Sequence, residues 1–223
     1  MATFEVYPAI NSQPGDIADV RRKLEIVKKI SSRVHLDCAD GKFTFNKSWC
    51  SPADWRAFRT DLELEVHLMF EDPVGELPAW SRAGAKRAIA CLDSFLHLAF
   101  SRRDRPLSEG VRFVDECEKW GMQPMLSVAL HNDLKSVSDI LSLFSCYQVF
   151  SQNSYGPSGQ PFLSGALSRI EYLHKRFPGA TIEVDGGIVP ETARLAYDAG
   201  ASAVVSGSYI FNSPNPTLAV KEL

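Results

Sequence analysis

Residues 33–38 read RVHLDC, a stretch in which polar and apolar side chains alternate. The same alternation recurs as LEVHL at residues 64–68 and as IEVD at residues 182–185. A period of two is the geometry of a β-strand, whose successive side chains point to opposite faces of a sheet. We expect the apolar face of each strand to pack against helices, so that the polar face points to the inside of a closed sheet. The three segments therefore predict strands of a barrel whose interior is unusually polar.

Short apolar runs occur along the whole chain and alternate with longer helical patterns. The predicted strands are Phe4–Ile10, Val34–Cys38, Leu62–Met69, Arg87–Leu92, Pro124–Ala129, Cys146–Phe150, Thr181–Val184 and Ala203–Val205. The predicted helices are Ile17–Ile30, Pro52–Thr60, Pro73–Ala83, Leu107–Trp120, Leu134–Phe144, Leu163–Phe177, Pro190–Ala199 and a short tail from Pro216. Such strand–helix repeats predict an α/β protein in which a parallel sheet closes into a (β/α)₈ TIM barrel, with residues 1–223 as a single domain. The connection over residues 93–106 exceeds the usual loop length and predicts either a lid or an additional turn of helix.

The composition is that of an ordinary globular protein, with 45% apolar and 23% charged residues. A net charge of −3 gives no general attraction to nucleic acid or to anionic lipid. We expect no membrane-spanning segment and no signal peptide, because neither pattern is found in the sequence. The five cysteines are dispersed and odd in number, which is typical of reduced thiols, so a cytoplasmic location is expected.

Four of the inward-pointing polar residues lie at the carboxyl ends of their predicted strands, where barrels of this class build their active sites. They are His35, Asp37, His67 and Asp185. Two imidazoles and two carboxylates that converge from different strands suit one divalent cation, and Zn²⁺, Fe²⁺ and Mn²⁺ all accept such ligands. A single His or Asp at a strand end is more often a hydrogen-bonded structural residue. Agreement among three strands favours the metal site.

Three charged residues, Arg33, Glu65 and Glu183, come two positions earlier on the same inward faces. Unpaired buried charges would be costly. We therefore predict that these three form a charge-compensated layer beneath the metal site and hold that site in place.

The loops after the predicted sixth, seventh and eighth strands are rich in glycine and serine. Glycine allows backbone N–H groups to approach an anion closely, and such barrels often bind phosphate with the loops after strands seven and eight. Turns need glycine too, so each of these glycine-containing loops alone is weak evidence. The order of the loops along the chain nevertheless favours a phosphorylated substrate. The predicted phosphate-binding residues are Ser158, Gly159, Gly186, Gly187, Gly207 and Ser208.

Several segments together carry a resemblance to a known family. They are HLDCADG at 35–41, VHLM at 66–69 followed by DP at 72–73, IEVDGGI at 182–188, and AGA at 199–201 with GSYIF at 207–211. In this order, and over nearly the whole chain, they resemble the ribulose-phosphate 3-epimerase family of metal-dependent barrel enzymes. The resemblance implies that the protein inverts C3 of a ketose phosphate, converting D-ribulose 5-phosphate to D-xylulose 5-phosphate or acting on a related ketose phosphate.

The resemblance also implies roles for individual residues. The metal ligands would be His35, Asp37, His67 and Asp185, holding one divalent ion per chain. Asp37 and Asp185 would exchange protons with C3 from opposite faces, through an enediolate that the metal stabilises. Ser12 and Met69 would lie at the substrate. The expected partners are a phosphorylated ketose and further copies of the chain, because such barrels are often symmetric homo-oligomers.

The substrate-facing loops depart from the family pattern. The family places three methionines over the substrate, and the matching positions here are Ala39, Met69 and Phe150, so one methionine is kept. The sixth loop, NSYGPSGQ at residues 153–160, is longer than the family pattern by one residue. We therefore predict an epimerase-type site in an altered pocket and leave open which ketose phosphate it accepts.

Two other functions are possible for a barrel with this sequence. A sugar-phosphate lyase or decarboxylase needs an inward lysine at a strand end, and Lys42 and Lys47 lie instead in the loop after the second strand. A non-catalytic or regulatory barrel that binds a sugar phosphate is the other alternative. The retention of all four candidate ligands argues against it.

Overall fold

The protein forms a closed barrel of parallel strands, each hydrogen-bonded to its neighbours in sequence and the last to the first. The structure is a computed structural model that describes residues 4–156 and 159–223. Within these residues the strands are β1 (Glu5–Ile10), β2 (Arg33–Ala39), β3 (Glu63–Met69), β4 (Ala85–Cys91), β5 (Gln123–Val128), β6 (Cys146–Phe150), β7 (Thr181–Asp185) and β8 (Ala203–Ser206). The predicted TIM barrel is confirmed. Its assignment to a single domain over residues 1–223 stays a prediction.

Helices surround the barrel and connect its strands. They are α1 (Ile17–Ile30), α2 (Pro52–Ala57), α3 (Leu77–Arg82), α4 (Leu92–Arg102), α5 (Pro106–Lys119), α6 (Ser138–Leu141), α7 (Gly165–Arg176), α8 (Pro190–Asp198), α9 (Ser208–Phe211) and α10 (Pro216–Glu222). A 3₁₀ turn at Val74–Glu76 precedes α3. Among the residues described, no helix is both long enough and apolar enough to cross a membrane.

Two connections differ from their predicted form. Of the alternatives for residues 93–106, the structure has a helix, because α4 covers most of this segment and its apolar side chains Phe95 and Leu98 are buried. The helix predicted at Leu134–Phe144 shortens to the four residues of α6. Side chains bond to the local backbone before it, including Asn132 Oδ1 accepting from the amide of Ala129, and such bonds hold turns in place of helix.

The two faces of the strands contact different parts of the core. The apolar face of β2, including Val34 and Leu36, belongs to the large cluster that contains Val20 and Leu24 of α1. The inward faces form smaller clusters, one of which joins β1 and β8. The predicted alternation is therefore observed, and it directs the polar residues of β2, β3 and β7 into the barrel.

Candidate active site

Two histidines and two aspartates meet at the mouth of the barrel. Their potential ligand atoms, from His35, Asp37, His67 and Asp185, all lie within 4.8 Å of one another. Nε2 of His35 lies 3.3 Å from Oδ1 of Asp37. Nδ1 of His67 lies 3.5 Å from that same oxygen and 3.7 Å from Oδ2 of Asp185. Both imidazoles are fully buried, and each aspartate is 9% exposed. The β2–β3 register explains part of this cluster, since it pairs Asp37 with His67.

The donor atoms of this cluster fit a divalent cation. Nδ1 of His67 is buried and has no hydrogen-bond partner among the described residues, although two carboxylates face it. A buried polar atom without a partner is costly unless a ligand satisfies it. Nδ1 of His35 lies 2.8 Å from Oε1 of Glu65, an arrangement in which a carboxylate fixes the imidazole and directs its other nitrogen towards a metal.

The pKa values of the two aspartates are shifted in opposite directions. Burial, and then the negative charge of Asp37, raises the pKa of Asp185 to about 7. Burial opposes ionisation of Asp37 as well, but the hydrogen bond with His35 and the electrostatic attraction of the His35 and His67 imidazoles hold its pKa well below the usual range. The two carboxyl groups of the pair therefore differ in proton affinity, as a proton donor and a proton acceptor require.

A layer of buried charge lies beneath the cluster, as predicted, but its cation is Arg87 of β4. Nη1 of Arg87 lies 2.8 Å from Oε2 of Glu65, and the Glu65 side chain is 3% exposed. Oε1 of Glu183 accepts from Nε2 of Gln148 at 3.1 Å. The hydrogen bond with His35 and the charge of Arg87 outweigh burial and lower the pKa of Glu65. Burial and the charge of Glu65 raise the pKa of Glu183 well above its usual range.

The prediction that Arg33 belongs to this layer is wrong. Arg33 is the first residue of β2, so its guanidinium lies at the opposite end of the barrel and binds Glu5 and the hydroxyl of Tyr7. Oε2 of Glu63 lies 3.4 Å from Nε of Arg33. The alternation of side chains along β4 directs Arg87 into the barrel, and the β3–β4 register pairs this residue with Glu65. This alternation could have identified Arg87 as the cation of the layer.

A cavity of about 260 Å³ opens above the cluster, between the loops that follow β1, β6, β7 and β8. Asp37 and Asp185 contribute to its floor. The residues predicted to bind substrate or phosphate that line it are Met69, Gly159, Gly186, Gly187, Gly207 and Ser208. Ser12 is buried, and its hydroxyl donates to Oδ2 of Asp19 at 2.7 Å. Ser158, also predicted to bind phosphate, lies outside the described residues.

Known proteins match the chain over nearly its whole length. The model of the ribulose-phosphate 3 epimerase family matches residues 5–211. The chain belongs to this family. Ribulose-phosphate 3-epimerase of Treponema pallidum (strain Nichols) is 31% identical over 230 residues, which cover 99% of this chain and 97% of that protein. The enzyme of the same name from Bacillus subtilis (strain 168) is 28% identical over 228 residues, covering 99% and 98%. The chain is thus an enzyme of carbohydrate epimerisation, as the resemblance predicted.

Solved structures agree with the fold. The barrel superposes on 3-hexulose-6-phosphate synthase from Salmonella typhimurium with a TM-score of 0.69 and 14% identity, covering 98% of this chain and 95% of that one. The tryptophan synthase complex from Pyrococcus furiosus gives a TM-score of 0.68 at 14% identity, covering 100% and 98%. At such low identity these likenesses show the TIM barrel alone.

Aromatic side chains occupy the region where the family places its methionines. Ala39, Met69 and Phe150 do lie together, in a cluster that also contains Tyr155. The rings of Phe150 and Tyr155 stack with centroids 4.4 Å apart, and Tyr155 meets the His67 ring edge-on at 5.9 Å. Tyr155 is a residue of the altered sixth loop that the sequence did not single out, because the direction of a loop side chain follows no periodicity.

Gly187 sits at the edge of the cavity with φ at +63°, and a Cβ there would collide with the backbone nitrogen of Phe162. We expect Gly187→Ala to lower the free energy of unfolding by about 2 kcal/mol or more, from left-handed strain and from displacement of the sixth loop. Urea denaturation measures the loss. Gly179→Ala is the matched control, since Gly179 has φ at +87° and no described atom within 4 Å of its added Cβ. Equal losses in the two variants would contradict the collision.

Proposed function

We propose that the protein is a metal-dependent 3-epimerase of a ketose phosphate, with D-ribulose 5-phosphate and D-xylulose 5-phosphate as the first pair to test. The observation that carries this proposal is the pairing of Asp37 and Asp185. Both are buried carboxyl groups on the floor of the cavity, and their oxygens lie within 4.8 Å of each other in the cluster with His35 and His67. Membership of the family supports the same chemistry.

The two aspartates would move one proton each. Asp37, as the carboxylate, accepts the proton from C3, and the electron pair of the broken C–H bond enters the enediolate. Asp185, as the carboxylic acid, returns a proton to C3 from the opposite face, so the configuration inverts and no net proton is consumed. The reverse reaction uses the same groups with their roles exchanged. A divalent cation held by His35, Asp37, His67 and Asp185 would stabilise the negative charge that develops on the substrate oxygens.

The remaining walls of the cavity fit the other end of the substrate. The glycines after β7 and β8 bring backbone to the cavity surface, where N–H groups can bind the oxygens of a phosphoryl group. Burial of the reacting carbon against Met69 and Phe150 would exclude water from the enediolate. We infer a phosphorylated ketose as the partner. A homo-oligomeric assembly and a cytoplasmic location stay predictions from the sequence.

The test combines metal analysis with a proton-exchange assay. Purified protein is expected to hold about one divalent ion per chain, and His67→Ala is expected to lose it. In D₂O the wild type should replace the C3 hydrogen of D-ribulose 5-phosphate with deuterium and form the epimer, both visible by NMR. Ketose phosphates with six carbons extend the panel, because the pocket departs from the family pattern. Metal binding without exchange on any ketose phosphate would contradict catalysis and favour a sugar-phosphate-binding barrel.

A further inference from the structure

Side chains from the first turns of α1 line the phosphate end of the cavity. Asp19, Arg22 and Lys23 border the same space as Gly207 and Ser208. Helix α1 begins shortly after the β1 loop, so its first turns lie at the rim of the barrel mouth. No sequence pattern distinguishes these residues, since one charged helix face usually contacts only solvent.

The three side chains form a compact ion cluster. Nη2 of Arg22 lies 2.6 Å from Oδ1 of Asp19, and Nζ of Lys23 lies 2.7 Å from Oδ2 of the same residue. Partial burial opposes ionisation of Asp19, but hydrogen bonds from Lys23, Ser12 and Arg22 lower the pKa of this carboxyl group to about 2. The carboxylate is therefore ionised in the physiological range. One anion between two cations leaves this cluster with one net positive charge.

The two cations of the cluster are bound very differently. Lys23 is 14% exposed, and its ammonium also donates to the backbone oxygen of Asn11 at 2.6 Å and lies 5.7 Å above the Phe211 ring. Its three donors are thus largely used within the protein. The Arg22 side chain is 55% exposed and donates from Nη2 to Asp19. A guanidinium has five N–H donors, so Arg22 keeps several for a ligand in the cavity.

We propose that Arg22, oriented by Asp19, binds the phosphoryl group of the substrate through its side chain, in addition to the backbone of the glycine loops. This inference rests on the proposed function, which supplies the phosphorylated substrate. A guanidinium matches phosphate oxygens in a bidentate fashion, and a carboxylate that already fixes it reduces the entropy lost on binding. Lys23 and Ser12 act through Asp19, which they hold in position. Arg22 is therefore a binding residue for the end of the substrate remote from C3.

Arg22→Gln tests the proposal by its effect on KM. We expect KM for the ketose phosphate to rise by about tenfold or more while kcat changes less than about twofold, because the lost bond lies far from the reacting carbon. Competitive inhibition by inorganic phosphate should weaken by a similar factor. Arg22→Lys keeps the charge without the planar fork and should recover part of the loss.

Arg21→Gln is the matched control. Arg21 is the exposed neighbour of Arg22, but its guanidinium carbon lies over the Phe58 ring at 5.6 Å. This variant should keep the wild-type KM. If the wild type turns over a ketose phosphate and Arg22→Gln leaves both KM and phosphate inhibition unchanged, the inference is wrong and the proposed function stands.

Calorimetric titration with inorganic phosphate identifies the case in which the proposed function is wrong but Arg22 still binds an anion. If no ketose phosphate is turned over, but phosphate binds to the wild type and binds at least about tenfold more weakly to Arg22→Gln, the proposed function fails and the anion site stands.

Discussion

Asp185→Asn is expected to lower kcat for a ketose phosphate by about a thousandfold, and Asp37→Asn by a similar factor. Asparagine keeps the size of the side chain but neither accepts nor returns a proton at C3. Each aspartate serves one face of the carbon in the proposed mechanism, so neither can replace the other. Coupled-enzyme or NMR assays of epimer formation measure the loss. Full activity in either variant would contradict the pair of bases.

The same variants change two candidate ligands, and metal content separates the two roles. A variant that retains about one ion per chain and still fails to turn over supports a role in proton transfer. If a variant loses the ion and regains full activity in excess metal, the substituted aspartate is a metal ligand only, and its assignment as acid or base is wrong. Asp72→Asn is a suitable control, because Asp72 binds Arg102 away from the cavity and should keep full activity.

Periodicity predicted the parts of the site that depend on local strand geometry. The side chains of a strand alternate regardless of what surrounds it, so the inward positions of β2, β3 and β7 could be read from the sequence. Convergence of His35, His67 and Asp185 then follows from the closure of the barrel, since carboxyl ends of parallel strands meet at one rim. These residues therefore needed no tertiary information beyond the fold class.

The partners of those residues depend on the reach of long side chains, and the sequence predicted them less well. Arg33 and Arg87 both occupy inward positions, yet Arg33 binds Glu5 at the far end of the barrel and Arg87 binds Glu65 beneath the site. The difference lies in their height along the barrel axis, which depends on strand register. Residue type and parity do not specify this height.

Loop and rim residues were the hardest to predict. Tyr155 packs under the mouth because the sixth loop folds inward, and Arg22 reaches the cavity because of where α1 begins. Neither feature has a repeating pattern, and both depend on how loops of several strands fit together. The loop and rim residues of the pocket are thus the part that only the three-dimensional arrangement identifies.

Arg87→Met is expected to lower the free energy of unfolding by about 3–5 kcal/mol, the largest loss of stability among the substitutions considered. The Arg87 side chain is 13% exposed, and it is paired with Glu65, which is 3% exposed. Its removal leaves the buried carboxylate without its guanidinium partner, while methionine keeps much of the apolar volume. Urea denaturation at neutral pH measures the change. Because Glu65 fixes the ring of His35, the variant should also bind the divalent ion more weakly.

Arg33→Met is the matched control, because it removes the same side chain from an ion pair that water screens. The Arg33 side chain is 32% exposed and its partner Glu5 is 38% exposed, so a loss of about 1 kcal/mol or less is expected. A second comparison replaces both partners: Arg87→Met combined with Glu65→Leu removes the unpaired charge as well and should recover much of the stability. If Arg87→Met costs no more than Arg33→Met, the buried layer does not depend on its cation, and the compensation of Glu65 by Arg87 is contradicted.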